Sequence, residues 1–194
     1  MESEQYVSPL LAAASLSVVF LVLFAMLFAE LPFAERLRVI IDQHTQKLMF
    51  TVAAVAMMSS LYYSEVVGFI PCEFCWYQRI AMYPLAVLLL VAIVTRSRID
   101  SRYIVTLAGI GLPLSIYHYQ LQLFPDQVRV CSGIVSCTDR NVNQFGFVSI
   151  PFMAGSGFLA ILLLQLAEWR VDYLYRRWYG GDGADATDEP SSRP

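Results

Sequence analysis

The chain has 194 residues, of which 57% are hydrophobic and only 15% charged, with a formal net charge of −3. Its mean hydropathy of +0.55 lies outside the range of ordinary soluble domains. The sequence has no phosphate-binding glycine loop, and its few basic residues form no patch that would bind nucleic acid. Composition therefore excludes a nucleotide- or nucleic-acid-binding domain and favours a membrane protein.

Five apolar runs of about 20 residues follow one another, each long enough to cross a hydrocarbon core of roughly 30 Å. They cover residues 8–29, 48–69, 76–94, 103–123 and 147–167. The pattern predicts an all-α integral membrane protein. Its architecture would be a four-helix transmembrane bundle, residues 48–167, with one extra N-terminal transmembrane helix.

The first run has a cleaved signal peptide as its alternative. No basic residue precedes it, its apolar stretch is too long, and no small-x-small cleavage site stands near Glu30. These features favour an uncleaved anchor, and the later spans keep their orientation in either case. Residues 1–47 would then comprise this anchor and an amphipathic cytoplasmic linker, residues 30–47, which could lie along the inner interface as a helix.

Basic residues are concentrated in three segments that flank the apolar runs. They are Arg36, Arg38, Lys47, Arg96, Arg98, Arg102, Arg170, Arg176 and Arg177. The positive-inside rule places these segments in the cytoplasm. The prediction is a multi-pass cell-membrane protein with a cytoplasmic C-terminus, and with an extracytoplasmic N-terminus and loops 70–75 and 124–146. Residues 168–179 would anchor at the interface, and residues 180–194 would be a disordered acidic tail.

All four cysteines fall in the two predicted extracytoplasmic loops. Cys72 and Cys75 form a C-x-x-C pair, whereas Cys131 and Cys137 are separated by five residues. Such pairs exchange disulfides readily, and the oxidising side of the membrane lets disulfides persist. Inert structural disulfides and a four-cysteine zinc site are the alternatives. A C-x-x-C ring constrains little of the chain, and a five-residue gap is wide for zinc, so redox chemistry is favoured and no metal is predicted.

Three ionisable residues are predicted to lie just below the C-x-x-C pair. Arg79 follows Cys75 by one helical turn, about 6 Å deeper in the membrane, and would stabilise Cys75 as a thiolate. Glu65 and His118 would lie at similar depth on two other spans. Charged groups at this depth favour a site for an amphipathic cofactor such as a membrane quinone. The alternative is an ion pair between Glu65 and Arg79, with His118 bonded to a backbone carbonyl.

Two motifs carry a family resemblance that spans residues 48–167. The first is Pro-Cys-Glu-Phe-Cys-Trp-Tyr-Gln-Arg at residues 71–79, and the second is Asn-Gln-Phe-Gly-Phe-Val-Ser-Ile-Pro at residues 143–151, after the loop cysteines. In this order they closely resemble the DsbB family of disulfide-bond-forming membrane oxidoreductases, especially its BdbC-like branch. The family of vitamin K epoxide reductase is the runner-up, but there the loop pair precedes the C-x-x-C pair. A non-catalytic membrane adaptor with structural disulfides is the alternative from another class.

The DsbB-like resemblance implies a thiol:quinone oxidoreductase. Such an enzyme reoxidises an extracytoplasmic thioredoxin-fold dithiol oxidase of the DsbA or BdbD type and passes the electrons to ubiquinone or menaquinone. Carried over by position, Cys75 would face the quinone, which Arg79 would hold. Cys72 would exchange with the loop pair, Cys131 would be attacked by the partner and Cys137 would resolve. The extra first span and the short spacing of the loop pair depart from the usual pattern.

Overall fold

The computed structural model describes residues 7–14, 16, 17, 20, 34–125, 131, 135–138, 142 and 144–179. Within them lie four long helices, α1 (Ala34–Leu61), α2 (Glu73–Val94), α3 (Ser101–Leu123) and α4 (Ile150–Tyr179). A π-helical turn, Tyr62–Val66, extends α1 directly. These residues form no β-strand, and their extended pairing is confined to a single bridge between Gln144 and Val148. The all-α prediction is confirmed.

The four helices pack as a bundle in which each lies against two neighbours. Helix α1 packs on α2 and α4, and α3 packs on the same two helices from the opposite side. A helical N-terminal segment, residues 7–14, lies against the end of α1, where the Ser8 hydroxyl and the Tyr63 hydroxyl are 3.1 Å apart. Because Ser8 and Ala12 are both buried, this segment is part of the packed structure.

Helix α2 and residues Ile150–Arg170 of α4 are the two helices in the described part of the chain that are long and apolar enough to cross a membrane. On α2 the side chains of Ile80, Val87, Val91 and Val94 are more than half exposed and lie on one face. An exposed apolar stripe of this length is typical of a surface covered by lipid. Helix α3 also coincides with a predicted span, residues 103–123.

The element boundaries differ from the prediction at two places. Residues 34–47, part of the predicted amphipathic helix along the inner interface, are helical but continue without a break into the predicted second span as helix α1. Helix α4 likewise runs through the predicted interfacial anchor to Tyr179. Neither junction contains a glycine or proline, so nothing local ends the helix there. Most of the predicted first span, residues 8–29, and the tail, residues 180–194, lie outside the described residues.

Tight backbone turns position the connections that carry the cysteines. Gly68 has φ +83° between the π-helical turn and α2, a conformation that glycine adopts without strain. Phe145 and Gly146, both at positive φ, form the turn between Gln144 and Phe147 that leads into α4. Pro151 then occupies the second position of α4, where its missing N–H costs nothing.

A close approach between α3 and α4 provides a test of the packing. A methyl group on Gly111 would collide with the ring of Phe158, which is fully buried, whereas a methyl group on Gly109 would meet no atom. We expect Gly111→Ala to destabilise the bundle by about 1–3 kcal/mol, the usual cost of overpacking. Gly109→Ala should be neutral or stabilising, because alanine favours helix. Thermal unfolding in detergent would measure both; equal effects would contradict this packing.

Candidate functional site

The two cysteine pairs meet at one end of the bundle. Cys72 and Cys137 are buried in one apolar cluster with Phe74 and Leu121, and Cys75 and Cys131 pack against its edge. The cluster is built from the start of α2, the end of α3 and the loop that follows α3. Two pairs that are about 60 residues apart in sequence thus share one packed environment, as disulfide exchange between them requires.

The C-x-x-C pair begins helix α2. Cys72 is the N-cap residue, and its sulfur accepts a hydrogen bond from the backbone N–H of Cys75 at 3.4 Å. The sulfur atoms of Cys72 and Cys75 are 2.8 Å apart. Because a disulfide needs a separation of about 2.05 Å, a small rotation of either side chain would close the ring. The helix N-terminus also favours negative charge on the capping sulfur.

The environment of Cys72 favours its thiolate form. A hydrogen bond from the Cys75 thiol holds the pKa of Cys72 well below its ordinary value, although burial opposes the shift, and His118 adds to the lowering. His118 is itself buried, with Nε2 at 3.5 Å from the Cys72 sulfur. The sequence predicted Cys75 as the thiolate, beside Arg79. The hydrogen bonds instead converge on Cys72, because Cys72 caps the helix and Cys75 lies one turn inside it.

Gln78 is a buried residue of the site that the sequence prediction missed. Its side-chain nitrogen lies 3.3 Å from Nδ1 of His118, on the side of the ring away from Cys72. This contact fixes the ring so that Nε2 faces the sulfur. The signal in the sequence was a neutral polar residue within an apolar span, three positions after Cys75.

The loop cysteines, Cys131 and Cys137, are joined by a disulfide, with their Cα atoms 6.1 Å apart. Cys137 is almost fully buried, whereas Cys131 is half-buried and therefore the more accessible sulfur. Downstream, the Tyr119 hydroxyl donates a hydrogen bond to the carbonyl of Phe147 at 2.9 Å. This bond fixes the entry to α4 against the end of α3.

A groove of about 270 Å³ runs along the bundle on the other side of the C-x-x-C pair. Its lining is mostly apolar and comes from α1, α2, α4 and the N-terminal segment. The lining includes Leu11, Ser60, Tyr63, Cys75, Gln78 and Arg79. Cys75 therefore faces the groove, whereas Cys72 does not line it.

Arg79 is held in the groove by Ser60 and by aromatic rings. Its Nε donates to the Ser60 hydroxyl at 2.9 Å, and its Nη2 donates to the Ser60 carbonyl at 3.0 Å. The guanidinium also lies 5.2 Å from the ring centre of Trp76 and 6.0 Å from that of Tyr83. A positive charge is thus fixed beside Cys75 in an otherwise apolar groove.

The other two predicted cofactor residues lie elsewhere. Glu65 is exposed, accepts a hydrogen bond from Ser64 at 3.0 Å and does not line the groove. The π-helical turn, which contains Glu65, changes the helical register and turns this side chain outward. His118 lies beside Cys72 instead of in the groove. The sequence prediction placed these residues by depth alone, and depth does not specify direction.

A second, small cavity lies between the C-x-x-C pair and the loop. It measures about 20 Å³, enough for one water molecule. Its lining includes Cys72, Cys75, His118, Gln122, Val135 and Ser136. Cys75 therefore borders both the groove and this cavity, and Cys72 borders only the cavity. The C-x-x-C pair separates an apolar groove from the loop disulfide.

Comparison with known proteins identifies a family and several relatives. Residues 43–168 match the family model described as "Disulfide bond formation protein DsbB". The "Probable disulfide formation protein" of Oceanobacillus iheyensis is 46% identical over 122 residues, which are 61% of this chain and 84% of the relative. "Disulfide bond formation protein C" of Bacillus subtilis is 42% identical over 118 residues, which are 60% and 86% of the two chains.

A third relative, "Probable disulfide formation protein C 2" of Bacillus anthracis, is 42% identical over 126 residues, which are 64% of this chain and 90% of the relative. The resemblance predicted from the two motifs is confirmed. No solved structure matches the chain. Residues 1–42, which include the N-terminal segment, fall outside the family match.

Proposed function

We propose a function from the premise that this chain belongs to the DsbB family of membrane disulfide bond formation proteins. It oxidises an extracytoplasmic thioredoxin-fold dithiol oxidase and passes the electrons to a membrane quinone. One observation carries the proposal: Cys75 lines the apolar groove with Arg79, while Cys72 lines the cavity next to the loop that holds Cys131 and Cys137. The cysteine pairs are thus ordered between a partner outside and an acceptor in the membrane.

The first step transfers two electrons from the partner to the loop. A thiolate of the reduced partner attacks the sulfur of Cys131, the half-buried one, and breaks the Cys131–Cys137 bond. Cys137 leaves as a thiolate. The partner's second thiolate then attacks the mixed disulfide, which releases an oxidised partner and leaves both loop cysteines reduced.

The second step moves the electrons to the C-x-x-C pair. The Cys137 thiolate attacks Cys72 in the Cys72–Cys75 disulfide and displaces Cys75. Cys131 then attacks Cys137, restores the loop disulfide and releases Cys72 as a thiolate. The hydrogen bonds that converge on Cys72 make it a good leaving group. His118, held by Gln78, stabilises that charge.

Reoxidation occurs on the groove side of the pair. The Cys72–Cys75 bond forms again, and two electrons and the Cys75 proton leave toward the groove. A bound quinone would supply the acceptor, taking two electrons and two protons, the second from water. The groove fits such a molecule, because its apolar length suits a lipid tail and the Arg79 guanidinium suits a ring oxygen.

The same assignment sets the orientation in the cell membrane. We place α1 to α4 across the bilayer as a four-helix bundle preceded by the extra N-terminal helix. Both cysteine loops and the N-terminus would be extracytoplasmic, and the C-terminus cytoplasmic. An impermeant maleimide should label Cys131 or Cys137 in intact, reduced cells. A thiol introduced by Ser97→Cys, at the opposite end of the bundle, should react only after the membrane is opened; the reverse pattern would invert this orientation.

Arg79→Met tests the groove as the acceptor site. Loss of a hydrogen bond from a charged donor costs about 1.5–3 kcal/mol, so we expect the KM for quinone to rise about 10- to 100-fold. The loop disulfide should still oxidise one equivalent of reduced partner. Steady-state quinone reduction with varied quinone concentration would measure the first effect, and a single-turnover partner assay the second.

Arg102→Met is the matched control, since Arg102 is an exposed arginine at the start of α3. It should leave the KM for quinone unchanged. If Arg79→Met left the quinone dependence of the rate as in the wild type, or only unfolded the bundle, Arg79 would be a structural residue and the groove would lose its support as the acceptor site.

The N-terminal segment contributes a wall of the same groove. Leu11 and Ala14 are among its lining residues, and the contact between Ser8 and Tyr63 holds the segment in place. The relatives are matched over most of their own length but only about three fifths of this chain, and the family match, residues 43–168, does not include this segment. We therefore assign the extra helix a part in shaping the quinone site.

Leu11→Trp should narrow the groove without touching either cysteine pair. Overpacking costs about 1–3 kcal/mol, and we expect the KM for a long-tailed quinone to rise on the order of 10-fold with kcat unchanged. Leu10→Trp is the control, because the neighbouring Leu10 is 69% exposed and outside the groove lining. Equal effects of the two substitutions in the quinone assay would show that the segment does not shape the site.

A further inference from the structure

We infer that the reduced C-x-x-C pair forms, with His118, an inhibitory binding site for Zn²⁺. The Cys72 sulfur, the Cys75 sulfur and Nε2 of His118 all lie within 4.8 Å of one another. These are the donor types that zinc prefers, and two thiolates with one imidazole form a recognised three-ligand set. This inference rests on the proposed function in one respect, because it requires that the C-x-x-C pair be reduced to a dithiol during turnover.

The geometry of the three donors suits a tetrahedral ion. Zinc bond lengths place two sulfur ligands about 3.8 Å apart, and a sulfur and a nitrogen ligand about 3.6 Å apart. The distance between the Cys72 sulfur and Nε2 of His118 is already 3.5 Å. The two sulfurs, at 2.8 Å, would have to separate by about 1 Å, which a side-chain rotation of Cys75 achieves.

Gln78 can support the imidazole as a ligand. Metal-bound histidines usually donate their second ring N–H to an oxygen. The Gln78 amide already touches Nδ1 of His118, and a half-turn of the amide would place its oxygen there. Nε2 would then carry a lone pair directed at the two sulfurs. The same contact orients His118 as a donor to the Cys72 thiolate when no metal is bound.

The small cavity provides the remaining coordination position. All three donors line it, its volume of about 20 Å³ matches one water molecule, and Gln122 is on its wall. A zinc ion held by three side chains and one water is the usual open arrangement. The cavity also adjoins Val135 and Ser136 of the extracytoplasmic loop, which would be the side from which the ion enters.

Zinc binding would depend on the redox state of the pair. The dithiol releases its thiol protons and supplies two thiolates, whereas the Cys72–Cys75 disulfide offers none. No electron moves on binding. A bound ion would hold the pair reduced and block closure of the disulfide, and so stop electron flow at the step that precedes the acceptor. External zinc would thus inhibit the enzyme during turnover.

Co²⁺ serves as the spectroscopic probe, on the full-length protein in detergent. The Cys131→Ser/Cys137→Ser background removes the loop thiols, so that the remaining thiols are Cys72 and Cys75. After reduction and removal of the reductant, we expect one equivalent of Co²⁺ to bind with sulfur-to-cobalt charge-transfer absorption, and Zn²⁺ to displace it. The protein oxidised at Cys72–Cys75 should show neither.

His118→Ala should weaken Co²⁺ binding at least about 10-fold. Loss of an outer-shell residue already weakens metal affinity by about that factor, and His118 is a direct ligand. His44→Ala, which removes the other histidine of the chain, exposed on α1, should bind as the background does. Equal binding by these two variants, or no charge-transfer absorption in the reduced protein, would overturn the site. If the background variant binds Co²⁺ in this way while the wild-type protein reduces no quinone with reduced partner, the metal site stands and the proposed function is refuted instead.

Discussion

Cys75→Ser should abolish quinone reduction, with a loss on the order of 10³-fold or more, as for removal of a reacting nucleophile. Cys75 is the cysteine that lines the groove, and its sulfur must bond to Cys72 when the electrons leave. A serine at this position cannot form that bond. Steady-state absorbance of the quinone, with reduced partner in excess, would measure the loss.

The Cys75→Ser protein should still react once with its partner. The Cys131–Cys137 disulfide does not involve Cys75, so one equivalent of partner becomes oxidised and turnover then stops. After this single reaction Cys72, Cys131 and Cys137 should all be thiols, because the variant has no second disulfide that could reoxidise the loop pair. Continued multiple turnover by this variant would mean that electrons leave the protein by another route.

Cys131→Ser/Cys137→Ser should abolish oxidation of the partner by a similar factor, on the order of 10³-fold. Cys72 is only 6% exposed, and the cavity beside it, about 20 Å³, has room for one water molecule, so a folded partner cannot reach this sulfur directly. The loop pair is therefore the obligatory acceptor of the partner's electrons. A free-thiol count on the partner, taken over time, would measure the loss.

The redox state of Cys72 and Cys75 distinguishes loss of the loop cysteines as electron acceptor from misfolding of the variant. With quinone present and no electrons arriving, the pair should remain a disulfide in the double variant, and alkylation should detect no thiol. If the double variant oxidised the partner at the wild-type rate, the loop pair would be structural and the ordered relay would be wrong.

The general architecture could be predicted because its signals are local. Apolar runs of spanning length predicted the helices, and the two cysteine motifs in their order indicated the family, which the comparison confirms. The junctions near Lys47 and Glu168 were placed where the apolar runs begin and end, but no glycine or proline ends a helix at either position, so α1 and α4 continue through them.

The contacts within the site depend on where each side chain points, which the sequence did not specify. Glu65 was predicted as a cofactor residue from its depth, with an ion pair to Arg79 as the alternative. The π-helical turn leaves Glu65 exposed, and Ser60 contacts the guanidinium. A serine near the end of an apolar helix gives no signal of such a role. His118 was placed at the right depth but faces Cys72, because its position around α3 directs it toward the N-terminus of α2.

The most direct test of the account is electron transfer from partner to quinone in the purified protein. With a reduced thioredoxin-fold dithiol oxidase and ubiquinone or menaquinone supplied separately, at least one quinone should be reduced catalytically. One quinol should appear for each partner disulfide formed, because both steps move two electrons. Partner oxidation without quinol formation, or no oxidation of the partner with either quinone, would contradict the account.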